Sequence, residues 1–155
     1  MFRVEFSLVH RGCLVNEVSG AFPDVRLICP GGFIEGSSAE EVIVLDNPSE
    51  DRVQQIVEYL AASPKIMETE LLERTTDKAF VRFVTESLPE EFCSRVVEKH
   101  HGFRLGMEIQ EGGVEIWRVG CAKREQAEEL LQELKSLGDM KHSAISETSW
   151  EEMMG

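Results

Sequence analysis

The chain has 155 residues and a mass of 17.5 kDa, enough for one ordinary domain or two small ones of about 75 residues. Hydrophobic residues make up 42% and charged residues 29%, a globular composition, and the formal net charge of −13 is spread evenly, with 6 basic and 13 acidic residues up to Thr76 and 10 and 16 after it. Such a chain lacks the positive footprint of a nucleic-acid binder, is not drawn to an anionic membrane surface, and has no apolar run near the roughly 20 residues of a spanning helix.

Residues 2–9 alternate, with Phe2, Val4, Phe6 and Leu8 on one side, which predicts a strand; Arg3 and Glu5 make the same stretch unlike a signal peptide. His10-Arg11-Gly12-Cys13 then turns into a short helix predicted over 13–21. A second strand is expected at 25–29. Pro30-Gly31-Gly32 and Gly36-Ser37-Ser38 punctuate a long hairpin into a third strand at 41–45. Asn47-Pro48-Ser49-Glu50 opens the second helix: Asn47 is expected to cap it, Pro48 to take the first helical position, and Glu50 to reach back as in a capping box. A fourth strand covers 66–74.

After a Thr75-Thr76-Asp77 turn the order recurs. A strand is expected at 79–85, and Ser87-Leu88-Pro89-Glu90 reads as a second capping box. Its helix runs to His100-His101, with Gly102 as the expected left-handed exit. Residues 103–110 and 114–119 make a hairpin across Glu111-Gly112-Gly113, a helix covers 123–137, and a last strand covers 140–145.

The helices carry an internal repeat. A shift of 74 lays Val53, Ile56, Val57 and Leu60 on Ala127, Leu130, Leu131 and Leu134, both with the i, i+3, i+4, i+7 spacing of one buried face. Each unit reads strand, helix, strand, strand, helix, strand, the split β-α-β order of a ferredoxin-like unit. The expectation is an α+β chain of two tandem ferredoxin-like repeats, 1–76 and 77–146, with antiparallel sheets that could run together and helices on one face. Residues 147–155 have no partner in the repeat and are expected as a tail, a short helix or a linker stub. Trp117 is expected in the core, and Trp150, Met153 and Met154 form an apolar cluster that would dock on the sheet or on a partner.

Chemistry-bearing residues are few. At the first strand-to-helix turn, Gly12 would let the backbone approach a ligand, and the amides of the helix start could hold an anion. His10, Arg11, Gly12 and Cys13 are therefore the candidate ligand-binding residues, the plainer reading being a turn with a buried Cys13. A metal cluster of Cys93, His100 and His101 with Cys13 or His10 is disfavoured, because Cys93 and His100 are two helical turns apart, roughly 10 Å. Cationic histidine at a helix C-terminus has a sufficient reason in the dipole. Cys29-Pro30 is too short an element to argue for haem. No Ser-His-Asp logic, nucleophile elbow, Walker loop or HExxH is present, and an enzyme is not expected. No cofactor is expected. Cys13, Cys29, Cys93 and Cys121, with no CxxC pair, read as reduced cytoplasmic thiols, two disulfides being the alternative.

Taken in order, the first strand with His10-Arg11-Gly12-Cys13, then Phe22-Pro23, Glu70-Leu71-Leu72 and Glu115-Ile116-Trp117, resemble the amino-terminal half of archaeal regulators of the bacterio-opsin-activator type. Such proteins carry a C-terminal helix-turn-helix, which this sequence does not show. The tandem units also look like ACT-type regulatory domains, which bind small metabolites. The resemblance implies a ligand- or partner-sensing module of a transcriptional regulator, touching DNA only through a helix-turn-helix absent from this chain. A protein-interaction or assembly factor is the alternative. A small-molecule effector is expected, no membrane partner, and a homodimer, since charges on the expected edge strands look sparse and regulators often read two half-sites.

Overall fold

The structure is a computed structural model that describes residues 1–86, 88, 89 and 91–154. The elements in chain order are β1 (Phe2–His10), α1 (Leu14–Ala21), β2 (Arg26–Glu35), β3 (Ser38–Asp46), α2 (Glu50–Ala62), β4 (Ile66–Arg74), β5 (Lys78–Thr85), α3 (Cys93–Lys99), β6 (Phe103–Arg104), β7 (Glu108–Glu111), β8 (Val114–Cys121), α4 (Arg124–Leu134), β9 (Gly138–Glu147) and α5 (Trp150–Met154). The fold is α+β with antiparallel strand pairing, as the alternating patterns require.

The differences from the expected boundaries have local causes. Pro30-Gly31-Gly32 does not end β2. It makes a bulge, with a register shift between Ile28 and Gly31, and a Cβ on Gly32 would stand 2.2 Å from the Glu40 carbonyl oxygen. The cap of α2 is Ser49, whose Oγ accepts from the Arg52 amide at 3.2 Å. Asn47 instead takes a left-handed turn conformation (φ 47°), which asparagine tolerates. Of the expected second capping box, Ser87 and Glu90 lie outside the described residues; α3 begins at Cys93 with Phe92 in the cap position. Its exit is left-handed at His101 (φ 58°), not at Gly102, with Gly102 N donating to Val97 O at 2.8 Å and His101 N to Glu98 O at 3.0 Å.

The chain forms two compact units. The α2 unit comprises Gly12–Leu88 and Ile109–Val114; the α4 unit comprises Met1–Arg11, Pro89–Glu108 and Glu115–Gly155. Strand order is β4-β5-β3-β2 in the α2 unit, and in the α4 unit β9-β1-β8 with β6 on the other side of β8. Both orders are that of a ferredoxin-like sheet, fourth-first-third-second, but the first-strand places are exchanged. β5 takes that place in the α2 unit, and β1 takes it in the α4 unit.

This differs from a division at Thr76. The turn between β4 and β5 is so short that β5 pairs back on β4 (Arg74 opposite Ala79), and in this order the neighbour of the fourth strand is the first. β1 is left to pair with β8 (Phe6 opposite Trp117) and β9 (Phe6 opposite Ser143).

Each unit has its own core. In the α2 unit, Val53, Ile56 and Leu60 of α2 and Leu14, Val15 and Val18 of α1 pack on Leu27, Ile43, Leu45, Val81 and Phe83. In the α4 unit, Ala127, Leu130, Leu131 and Leu134 of α4 and Val96 and Val97 of α3 pack on Val4, Phe6, Leu8, Trp117 and Val119. The two helical faces matched by the repeat are thus the faces that are buried, with Val57 half-buried. The end strand β4 is not sparse in charge: it carries Glu68, Glu70, Glu73 and Arg74 and two register shifts, both of which blunt an edge.

Candidate functional site

The turn at 10–13 is distributed between the two units. His10 ends β1 in phase with Val4, Phe6 and Leu8, so its ring enters the α4-unit core and is 4% exposed. Its Nδ1 lies 3.2 Å from Glu115 Oε2 and 3.9 Å from Cys93 Sγ, and its Nε2 lies 2.9 Å from the Glu91 carbonyl oxygen. Glu115 is 3% exposed, and its other oxygen, Oε1, accepts from Trp117 Nε1 at 2.7 Å. Arg11 is tied to the loop after α4: its amide donates to Leu137 O at 3.0 Å and its Nη2 to Ser136 O at 2.6 Å. Gly12 takes a left-handed conformation (φ 76°), and Cys13 caps α1 without a side-chain bond to it. The first turn of α1 carries Glu17, whose charge opposes an anion there.

Glu115 was not singled out as a site residue from sequence, yet a signal was present. It lies two residues before Trp117 and four before Val119, on the core phase of β8. A carboxylate in that phase must find partners inside the fold. None of the four cysteines is in a disulfide, and burial pushes the Cys121 thiol up. His100, just after α3, turns elsewhere: its Nε2 lies 2.9 Å from Glu133 Oε2 and its Nδ1 3.8 Å from Glu129 Oε2.

A second feature of the α4 unit is a cleft of about 490 Å³ lined by Ser94, Val97, Glu98, Gly102, Phe103, Arg104, Leu105 and Trp150. Each wall has a local cause. Gly102 has no side chain because a Cβ there would stand 2.7 Å from Val119 Cγ1. Arg104 lays its guanidinium 4.7 Å over the Trp117 ring, which is buried and stacked on Phe6. Phe103 and Trp150 meet edge to face at 5.5 Å. α5 is seated by Met153 over Gly120, whose Cβ would stand 2.7 Å from Met153 Cε. Met1 and Thr148 exchange backbone bonds of 3.1 and 2.9 Å. The apolar segment after residue 146 therefore docks on its own unit.

The cleft escaped the sequence reading because one wall comes from that orphan segment. Its apolar floor, with Arg104, Glu98 and Ser94 at hand, suits a small, largely apolar molecule carrying a polar group. Among the described residues no helix is long and apolar enough to cross a membrane.

A family model described as HVO_2525_N, N-terminal, matches residues 3–140. No curated protein and no solved structure matches the chain.

Proposed function

The chain belongs to the HVO_2525_N, N-terminal, family, and on that footing we propose that it is a cytoplasmic sensing module of a transcriptional regulator rather than an enzyme. The observation that carries this reading is the cleft beside α3, open to a small effector and walled on one side by α5. A molecule inserted between Val97, Phe103 and Trp150 would move α5, the last element of this stretch, and so turn occupancy into a displacement. The reading also rests on the sequence resemblance to regulators of the bacterio-opsin-activator type, in which a helix-turn-helix follows such a region. At a net charge of −13, the reading places DNA contact in such a domain rather than on the acidic surface of this chain.

The reading includes a homodimer. Exposed Met67, Leu71 and Leu72 on β4 offer apolar surface for a second copy. The bulges and carboxylates of that strand favour side-chain contact over backbone pairing.

Tryptophan emission tests the effector site, since Trp150 is half-exposed at the cleft and Trp117 is buried. A metabolite panel should contain a class that shifts wild-type emission, with the shift lost in Trp150→Phe and in the cleft-filling Ser94→Phe. A panel without effect on the wild type, or a shift that survives Ser94→Phe, defeats the reading. Light scattering at ~100 µM, above the micromolar range where modest interfaces assemble, should show a dimer; a strict monomer removes that part.

A further inference from the structure

We propose that the outer face of the α2-unit sheet is a docking surface for a basic amphipathic helix of a protein partner. The inference is independent of the effector reading, whose cleft belongs to the α4 unit.

Residues directly opposite one another on paired strands share a face of the sheet. One face of the α2-unit sheet carries Leu27, Ile43, Leu45, Val81 and Phe83 and is covered by α1 and α2. The register then fixes what the other face shows. Ile28 is opposite Val44, and Val44 is opposite Phe80. Phe33 is opposite Glu40, Glu40 is opposite Val84, and Val42 is opposite Arg82. Six of these residues are apolar, and none of the six joins either core described above. Phe33 is 75% exposed, and Ile28, Val42, Phe80 and Val84 are half-buried.

A sheet face turned to water is ordinarily polar. β1, which holds the first-strand place in the α4 unit, follows this rule with Arg3, Glu5 and Ser7 between its buried residues. β5, in the same place in the α2 unit, puts Phe80 and Val84 there. The apolar outer face is therefore particular to this unit and is not imposed by the fold.

Charge selects the occupant. β4 sets Glu68, Glu70 and Glu73 opposite Val84, Arg82 and Phe80, so one side of the apolar strip is a wall of exposed carboxylates. The Arg82 guanidinium pairs with Glu40 and, at 3.0 Å, with Glu68, and stands 3.9 Å from Glu70. One guanidinium among three carboxylates leaves the wall negative, in a chain of net charge −13. A second copy would bring the same excess of carboxylates to the contact. A segment with apolar residues on one side and lysine or arginine beside them complements both features.

Dimensions select a helix. Three strands spaced by about 4.8 Å make the β2-β3-β5 strip roughly 10 Å wide, close to the width of one helix with its side chains. From the Phe80 row to the Val84 row is roughly 14 Å along the strands, the length of about nine helical residues. Apolar residues at i, i+3, i+4 and i+7 of such a helix would lie on Val42, Val44, Phe80 and Val84, and basic residues on its flank would meet Glu70 and Glu73.

The test uses the whole chain and a fluorescein-labelled peptide of about 15 residues, long enough for a helix of this length. It is built of leucine, alanine and lysine, with leucines at i, i+3, i+4 and i+7 and lysines on their flank. Fluorescence anisotropy at about 0.15 M salt should show micromolar binding, and a scrambled peptide of the same composition should bind about tenfold more weakly. The double variant Val42→Ser, Val84→Ser should weaken the patterned peptide by about tenfold or more. Glu73→Lys should weaken it severalfold, whereas Glu128→Lys, the same charge change on exposed α4 surface, should leave it unchanged. Equal losses in the two lysine variants, or equal binding of the scrambled peptide, would mean diffuse attraction to an acidic protein and overturn the proposal. No binding to the wild type at ~100 µM overturns it, as does undiminished binding to the double variant. If light scattering then finds the double variant monomeric and the wild type dimeric, a second copy holds the face instead. Should the double variant fail to fold by circular dichroism, Phe33→Ser, at an exposed position, and the two lysine variants decide.

Discussion

Two adjacent residues at the end of α3 divide a task that one glycine often performs. His101 takes the left-handed conformation and Gly102 the close approach to Val119 and Val97. Sequence reasoning assigned the left-handed place to Gly102 because glycine is the usual occupant, and nothing local shows that packing has the stronger claim on it. His101→Gly should therefore raise stability, by about 0.5–1 kcal/mol, because a side chain in that conformation is strained. Gly102→Ala should lower it by about 1–3 kcal/mol through overpacking. Chemical denaturation of both variants checks the pair, and equal effects of one sign would contradict the division. Close by, the Lys99 ammonium beside Glu133, and secondarily the His100 ring, hold the Glu133 carboxyl below the ordinary glutamate range. A depressed carboxyl contributes stability that is present above the unfolded value, about 4.3, and lost as pH falls. The thermal midpoint difference between wild type and Glu133→Gln should accordingly shrink from neutral pH to about pH 3. A difference constant across that range would refute the coupling.

At the scale of elements, the parts legible in sequence are those fixed by short-range pattern. β4 lies at 66–74 as read, and the buried faces of α2 and α4 are the ones that the i, i+3, i+4, i+7 spacing selects. Leu130→Ala, on the fully buried face of α4, should cost about 2–5 kcal/mol, and a loss under about 0.5 kcal/mol would contradict its burial. The cap of α2 was misassigned by two residues, because Asn47 and Ser49 are both good cap residues flanking one proline. Geometry selects Ser49, so Ser49→Ala should cost about 1 kcal/mol, whereas Asn47→Ala should act only through its left-handed turn. Of the candidate turn, the sequence identified the position but not the sharing of its residues, which depends on which strands β1 joins. The Glu115 partner of His10 is far away in sequence, and only the alternation along β8 hints at it.

At the scale of the whole molecule, the exchange of first strands predicts how the chain folds when it is cut. Cutting between Thr76 and Asp77 leaves a fragment with β1 but without β5, and one with β5 but without β1. The first loses the fully buried Val81 and Phe83 of the α2-unit core; the second loses Val4, Phe6 and Leu8 of the other core. A buried phenylalanine alone is worth about 3–5 kcal/mol, a large share of the 5–15 kcal/mol that holds a domain together. The fragment 1–76 could fold β1 back into the place of β5, since both strands alternate in the same way. That arrangement would bury His10 among α2-unit residues without Glu115. Reciprocal exchange satisfies both strands at once, so the complementing fragment should win. Mixed in equal amounts, the two fragments should form a 1:1 complex with the far-ultraviolet circular dichroism of the intact chain, while each alone is unfolded or aggregated. Val81→Asp in the second fragment should prevent the complex, because a buried carboxylate without a partner is costly. Two folded, monomeric fragments that ignore each other in size-exclusion chromatography would show that each repeat completes itself in sequence order, and the exchanged assignment of β1 and β5 would fall.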